Sequence, residues 1–270
     1  MKYGLLTGAG GGLGMACVQA LVAADWTVFA ADVNVDRLAE LDPAAPVIAL
    51  PLDVTDPTSL DRAVELVKRT TDRLDAVVNL AGLHAMGSLV EGDVVATLRR
   101  MIDVNVLGLV GVNRAFFELL LAGGGRIVNC SSECGYMKAQ PFNGLYAITK
   151  YAVEAYNDAL RRELLGLNIP VVKLQPGSFR TNLLTAAQSS FDQLSAGTRY
   201  HRRALTRMKP LMTREFRRAN DPVHLARAVL TAVSSRRPRL TYRVRNSRLL
   251  GLMELVPDRL LDAVYRVLMR

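Results

Sequence analysis

Short apolar runs alternate with segments of helical periodicity along most of the chain. Lys2–Thr7 is apolar and runs into a cluster of glycines. Met15–Ala24 then has helical character, with Val18, Leu21 and Val22 able to share a face. Thr27–Ala31 reads as a buried strand, Asn34–Leu41 as a short helix and Val47–Leu50 as a third strand. Asp56-Pro57 marks a helix start, with the carboxylate as cap and proline at the first helical position. Leu60, Val64 and Val67 give that helix its inner face.

Leu74–Asn79 and Arg126–Cys130 read as the fourth and fifth strands, separated by helical sequence from about Val94 to Leu121. Tyr146–Leu165 is a long helix pattern and Pro170–Leu174 a sixth strand. The strands are apolar throughout rather than alternating, as strands buried on both faces must be. This order predicts an α/β chain of the Rossmann type. It is a doubly wound parallel sheet of about seven strands with helices on both faces.

After Pro176-Gly177 the alternation stops. Ser178–Arg218 is polar and basic, and is expected to form an irregular or helical insertion serving as a substrate lid. A helix restarts at Asp221-Pro222 and runs through Val233, and Pro238–Val244 supplies the last strand. Residues 249–270 form an amphipathic tail, in which Leu260, Leu261, Val264, Val267 and Leu268 interleave with charged positions. With no linker or repeat, residues 1–270 are expected to form a single domain.

Half of the 270 residues are hydrophobic and 22% are charged, enough for a sizeable core. The formal net charge of +9 is uneven. Arg199, Arg202, Arg203, Arg207, Lys209, Arg214, Arg217 and Arg218 face a lone Glu215, and a second group spans Arg236–Arg248. Such clusters attract phosphate, nucleic acid or anionic lipid. No nucleic-acid recognition module is present and few aromatics interleave the charges, so nucleic acid is not an expected partner. Cys17, Cys130 and Cys134 have no Cys-x-x-Cys spacing, and His84, His201 and His224 are scattered; no metal site is expected. No leader-like segment or bilayer-spanning run is evident, so a cytoplasmic location is expected. The tail's apolar stripe is read as packed on the core or on a partner subunit, with peripheral membrane contact the alternative.

Candidate chemistry begins at Thr7-Gly8-Ala9-Gly10-Gly11-Gly12-Leu13-Gly14, between the first strand and the first helix. A turn there directs backbone N–H groups and a helix N-terminus at one point, which suits a pyrophosphate. Asp32 ends the second strand roughly eighteen residues past Gly14. A carboxylate there can accept both ribose hydroxyls of an adenosine and repels a 2′-phosphate. Val33, Asn34 and Val35 bring no arginine to offset that repulsion, so NAD(H) is favoured over NADP(H). Equally, Asp32 could cap the next helix. Tyr146 and Lys150 lie four apart on a predicted helix, hence on one face, where the ammonium favours the phenolate.

The set Thr7-Gly8-x-x-x-Gly12-x-Gly14, Asp53-Val54, Asn79-x-Ala81-Gly82, Asn105, Ser131-Ser132, Tyr146-x-x-x-Lys150 and Pro176-Gly177 resembles the short-chain dehydrogenase/reductase family. The likeness covers roughly the first 180 residues. Gln140–Tyr146 and the stretch Pro238–Tyr242 are similar to the hydroxysteroid and retinol dehydrogenase branch. The resemblance implies Tyr146 as acid/base, Lys150 lowering its pKa and holding a nicotinamide ribose, Ser132 bonding the substrate oxygen, and Asn105 helping to hold a relay water. It implies that Gly8, Gly10, Gly11, Gly12, Leu13 and Gly14 cradle the cofactor. Asp53 would bond the adenine amino group beside Val54, and Asn79, Ala81 and Gly82 would line the cofactor. Pro176, Gly177 and Thr181 would flank the nicotinamide. It further implies a homodimer or homotetramer.

Two positions depart from the family pattern. Leu80 stands where a second asparagine is usual, and Ser132 lies one residue further from Tyr146, so the intervening loop must bulge; Ser131 is the fallback. The reading that results is an NAD(H)-dependent oxidoreductase of a hydrophobic secondary alcohol or ketone. A reductase of an acyl thioester, or a catalytically silent nucleotide sensor of the same fold, are the alternatives.

Overall fold

The computed structural model describes residues 1–269. Its centre is one parallel sheet of β1 (Lys2–Thr7), β2 (Trp26–Asp32), β3 (Val47–Pro51), β4 (Ala76–Asn79), β5 (Arg126–Cys130), β6 (Val171–Pro176) and β7 (Thr241–Val244). The seven strands lie in the order β3-β2-β1-β4-β5-β6-β7. The chain reverses its direction of growth between β1 and β4, where Thr7 is in register with Asn79. In such a sheet the crevice beyond the carboxyl ends opens at that reversal. The expected doubly wound α/β fold is what forms.

Successive strand residues point to opposite faces, so each strand feeds two cores. On one side Leu6, Val28, Val78 and Val128 pack against α1 (Gly12–Val22) and, later in the chain, a helix at Val223–Ser234. On the other, Leu5, Phe29, Val77 and Ile127 meet α2 (Pro57–Lys68) and the helices that follow β4. Asp56 caps α2 as expected, its carboxylate accepting from Thr58 N at 2.9 Å. Cys17 and Cys130 are buried and unpaired.

Three expectations need adjustment. The first helix begins at Gly12 rather than Met15, directly off the glycine turn. The helical stretch after Val94 is not continuous. It comprises α3 (Val94–Ile102), a wider π-type turn over Asp103–Gly108, α4 (Leu109–Ala115) and α5 (Phe117–Gly123). Gly108, at the end of that turn, packs closely on Val54: a Cβ there would come within 2.6 Å of Val54 Cγ2. Asn34–Leu41 shrinks to a 3-10 turn over Asp36–Glu40.

After α6 (Gly144–Glu163) and β6, the insertion resolves as two helices, α7 (Asn182–Gly197) and α8 (Arg202–Arg217). Ala187 and Phe191 of α7 and Ala204, Leu205 and Met208 of α8 close over Met86 and Phe142 in a small core of their own. The helix at Val223–Ser234 is α9, followed past β7 by α10 (Arg248–Met253) and α11 (Asp258–Met269). The tail packs only in part: Leu261 is buried, while Leu260, Val264 and Val267 remain exposed. Arg207 on α8 donates to the Val267 carbonyl at 2.9 Å. Among the described residues no single helix is long and apolar enough to cross a membrane; the Val94–Ala115 and Phe117–Gly123 segments reach that length only across a 52° bend.

Phe29 is fully buried in β2, whereas Val33, just beyond that strand, is largely exposed. Phe29→Ala is expected to lower unfolding free energy by about 3–5 kcal/mol in urea denaturation. Val33→Ala should stay within about 0.5 kcal/mol of wild type.

Candidate active site

The cleft at the strand-order reversal encloses about 1200 Å³. Its floor is the turn from β1 into α1. Gly8 has φ 71°, a left-handed conformation, and a Cβ there would lie 2.7 Å from Ala81 N. A Cβ on Gly14 would lie 2.0 Å from the Gly8 carbonyl oxygen. No side chain caps the start of α1 at Gly11, so its first amides face the cleft without a protein anion. Thr181, at the start of α7, closes the opposite wall, with Cγ2 3.2 Å from where a Gly12 Cβ would stand. These are the features a pyrophosphate needs.

Gly8, Gly11, Gly12, Leu13, Gly14, Asp32, Asp53, Val54, Ala81, Gly82 and Thr181 all line this cleft. Gly10 does not; its amide donates to Asp32 Oδ2 at 2.9 Å. The other Asp32 oxygen accepts from Asn34 N at 3.1 Å, so Asp32 braces the turn rather than capping the next helix. Sequence reading missed an arginine here: Arg37 Nη1 reaches the Gly10 carbonyl at 2.8 Å and pairs with Glu40 at 3.6 Å. Asp53 Oδ1 accepts from both the amide and the hydroxyl of Thr55, which holds the carboxyl below its ordinary value.

Asn79, Tyr146, Lys150, Pro176 and Gly177, also expected at the cofactor, do not line the cleft itself. Asn79 turns into the core, donating to Asn113 Oδ1 at 2.7 Å and Asn129 Oδ1 at 2.9 Å. Its buried Nδ2 is thereby fully paired. Pro176 ends β6 in register with Val244 of β7, and the Gly177 amide just beyond donates to Val244 O at 3.0 Å.

Beyond the cleft wall the candidate catalytic groups converge. Ser132 follows β5 in an extended conformation and accepts from Cys134 N at 3.1 Å. Ser131 instead donates to the Lys150 carbonyl and is 1% exposed, which leaves Ser132 as the serine facing the site. Tyr146 and Lys150 share one face of α6; Lys150 Nζ lies 5.5 Å from the Tyr146 ring centre and donates to Cys130 O at 2.9 Å. The expected lowering of the phenol's pKa is not what this pocket produces. Burial pushes Tyr146 well above its ordinary value, opposed by the neighbouring Ser132 hydroxyl. Burial also lowers Lys150.

Asn105 sits in the π-type turn. Its amide donates to Leu83 O at 2.9 Å and Thr149 Oγ1 at 3.0 Å and accepts from Leu83 N at 2.7 Å. The side chain therefore fixes the Leu83 backbone.

Two groups went unclaimed in the sequence. His84 lines the cleft and stacks on Tyr146, ring centres 4.0 Å apart at 22°. Glu133, next to Ser132, is buried and accepts from Ser247 N at 2.7 Å. It belongs to a clasp between the β5–α6 loop and the C-terminal region. Tyr136 OH accepts from Asn246 Nδ2 at 3.1 Å, and Lys138 Nζ meets Asp258 at 2.7 Å and the Val256 carbonyl at 2.7 Å. Gln140 bonds Tyr265. Neither group carries a local sequence signal, because their partners are distant in the chain.

A glycine cradle at the reversal point of a parallel sheet, beside a Tyr–Lys pair and a serine, defines a dinucleotide-binding oxidoreductase fold. The profile described as short chain dehydrogenase matches residues 2–191, and the chain belongs to that family. It is 28% identical over 277 residues to the NADPH-dependent 3-dehydrocapnine reductase of Ornithobacterium rhinotracheale, covering 98% of this chain and 96% of that protein. It is 33% identical over 211 residues to retinol dehydrogenase 16 of Mus musculus, covering 73% of this chain and 65% of that one. A short-chain dehydrogenase from Streptomyces avermitilis superposes with a TM-score of 0.74 at 26% identity, over 99% of this chain and 94% of that chain. The family and the retinol dehydrogenase-like branch expected from the motifs are thus found.

Burial raises the Glu133 carboxyl to about 7. A carboxyl raised on folding favours the folded state while protonated, and that contribution is lost as pH rises from its unfolded value through about 7. Glu133→Gln should flatten the fall in Tm between pH 5 and 8 and be the more stable protein at pH 8, as thermal melts across that range would record.

Proposed function

We propose that this chain is an NAD(H)-dependent oxidoreductase that interconverts a hydrophobic secondary alcohol and its ketone, with Tyr146 as the proton donor and acceptor. The observation that carries the reading is the convergence of Ser132, Tyr146 and Lys150 directly behind the cleft whose glycine turn fits a pyrophosphate. A nicotinamide dinucleotide bound there supplies or takes the hydride. Tyr146 holds the mobile proton on its phenol oxygen. Ser132, whose oxygen accepts from Cys134 N and whose hydroxyl lies beside the Tyr146 phenol, is proposed to turn its hydrogen to the substrate oxygen. Lys150 provides the positive charge nearest the phenol ring and is expected to hold the cofactor ribose. Gly8, Gly10–Gly14, Asp53, Val54, Ala81, Gly82 and Thr181 are proposed to hold the rest of the dinucleotide. Leu83, Leu183 and Ala186 on the cleft wall favour an apolar substrate.

NAD(H) is proposed over NADP(H) because the Asp32 carboxylate faces the cleft at the end of β2 and repels a 2′-phosphate. Arg37, held on the Gly10 carbonyl, is the group that could offset this repulsion. The exposed cations of α8 support a second reading, reduction of an acyl thioester whose carrier bears phosphate. Exposed Leu107, Ile148 and Tyr151, around the π-type turn and α6, suit a homodimer or homotetramer built on paired helices. We place the protein in the cytoplasm, with peripheral membrane contact open to it through the exposed Leu260, Val264 and Val267 beside the basic α8.

Turnover of a panel of secondary alcohols should fall roughly 10²- to 10⁴-fold in Tyr146→Phe, with dinucleotide binding retained in a fluorescence titration. An unchanged rate in that variant removes the mechanism. Asp32→Ala is expected to raise kcat/KM with NADP(H) relative to NAD(H) about tenfold or more; a wild-type protein that already prefers NADP(H) overturns the cofactor assignment.

A further inference from the structure

Ser132 and Tyr146 stand at opposite ends of a loop that is longer than the family pattern, yet their side chains must meet one substrate oxygen. A ring of contacts joins them. The Cys134 amide donates to Ser132 Oγ at 3.1 Å, and Cys134 Sγ accepts from Asn143 Nδ2 at 3.3 Å. The other end of that amide, Oδ1, lies 2.9 Å from His84 Nε2. His84 in turn lies flat on the Tyr146 ring, 4.0 Å between centres. Asn105 fixes the base of His84 by gripping both backbone groups of Leu83.

The orientation of each group follows. With Nδ2 directed at sulfur, Asn143 offers only its oxygen to His84, so His84 Nε2 carries the proton. Burial, reinforced by the Lys150 charge, pushes His84 down to about 4, and the ring stays neutral at working pH. A neutral imidazole in a single tautomer is a flat, fixed plate against the phenol. Asn143 precedes Gly144, the first residue of α6, so the same side chain that holds His84 sits at the entry to the helix bearing Tyr146 and Lys150.

We propose that His84 and Asn143 are positioning residues that fix the Tyr146 phenol and the Ser132 hydroxyl relative to each other, compensating for the longer loop between them. The proposal rests on the reading of Tyr146 as acid/base and adds to it a device for setting its geometry. Reacting groups displaced by about 1 Å can lose on the order of 10²-fold in rate.

The test uses His84→Gln, which keeps a donor for Asn143 but no ring, His84→Phe, which keeps the ring but no donor, Asn143→Ala, and the His84→Gln/Asn143→Ala double variant. Each single variant should lower kcat about tenfold or more, with dinucleotide affinity and alcohol KM near wild type. The double variant should be little worse than the poorer single, because both act through one arrangement. An independent readout is ¹⁵N NMR of histidine in the resting protein. Only His84, His201 and His224 contribute, and His84 should show the neutral Nε2–H tautomer at pH 7, lost in Asn143→Ala. If the His84 and Asn143 variants turn over within twofold of wild type while Tyr146→Phe is inactive, the positioning role is overturned and the catalytic reading stands. If Tyr146→Phe is itself active, the catalytic reading has failed; the tautomer measurement then still decides whether the His84–Asn143 contact exists. Losses that multiply in the double variant, or a KM effect without a kcat effect, also overturn the proposal.

Discussion

Everything in the site depends on how closely two pieces of backbone approach where β1 gives way to α1. The Gly8 carbonyl lies where any side chain on Gly14 would stand, and Gly8 itself presses on the Leu80–Ala81 peptide after β4. This contact brings α1 down onto the strand ends and leaves the first amides of the helix open to the cleft. It also sets the spacing between β1 and the chain leaving β4, from which Ala81, Gly82, Leu83 and His84 continue along the cleft wall. The neighbouring carboxylate of Asp32 completes the turn by holding Gly10.

A second constraint is buried polarity. Asn79, Asn113, Asn129 and Asn157 bond to one another between the sheet and the helices behind it, tying β4, α4, β5 and α6 together. Buried amides tolerate few alternative arrangements, because each misplaced group would lose a partner that water cannot replace. The face of α6 that carries Tyr146 and Lys150 is thereby referred back to the sheet. Asn105 does the same for the cleft wall through Leu83.

Much of this was legible in the residue order, and the exceptions have a common cause. The strands were visible because a sheet covered on both sides demands unbroken apolar runs, and the glycine turn because its flanks were a strand and a helix. The break between α3 and α4 was not visible, since no proline marks it and the packing of Gly108 on Val54 joins residues far apart in the chain. Arg37 escaped notice because only the folding back of the Asp36–Glu40 turn brings it to Gly10. Helix α8 was half hidden by its arginines, although Ala204, Met208, Met212 and Phe216 recur at helical spacing under that charge. The phenol's acidity could not be read from Tyr–Lys spacing alone, because burial outweighs a single nearby ammonium.

The clasp between the β5–α6 loop and the C-terminal region carries a consequence for how the protein is made. The sheet from β1 to β6 can assemble while translation is still under way, but Tyr136 and Gln140 wait for partners 110 and 125 residues further on. Contacts of such long sequence separation come late, since the intervening chain must first be ordered. A nascent chain on the ribosome would therefore own its glycine turn well before the β5–α6 loop is clasped, and that loop settles only when the final helices do.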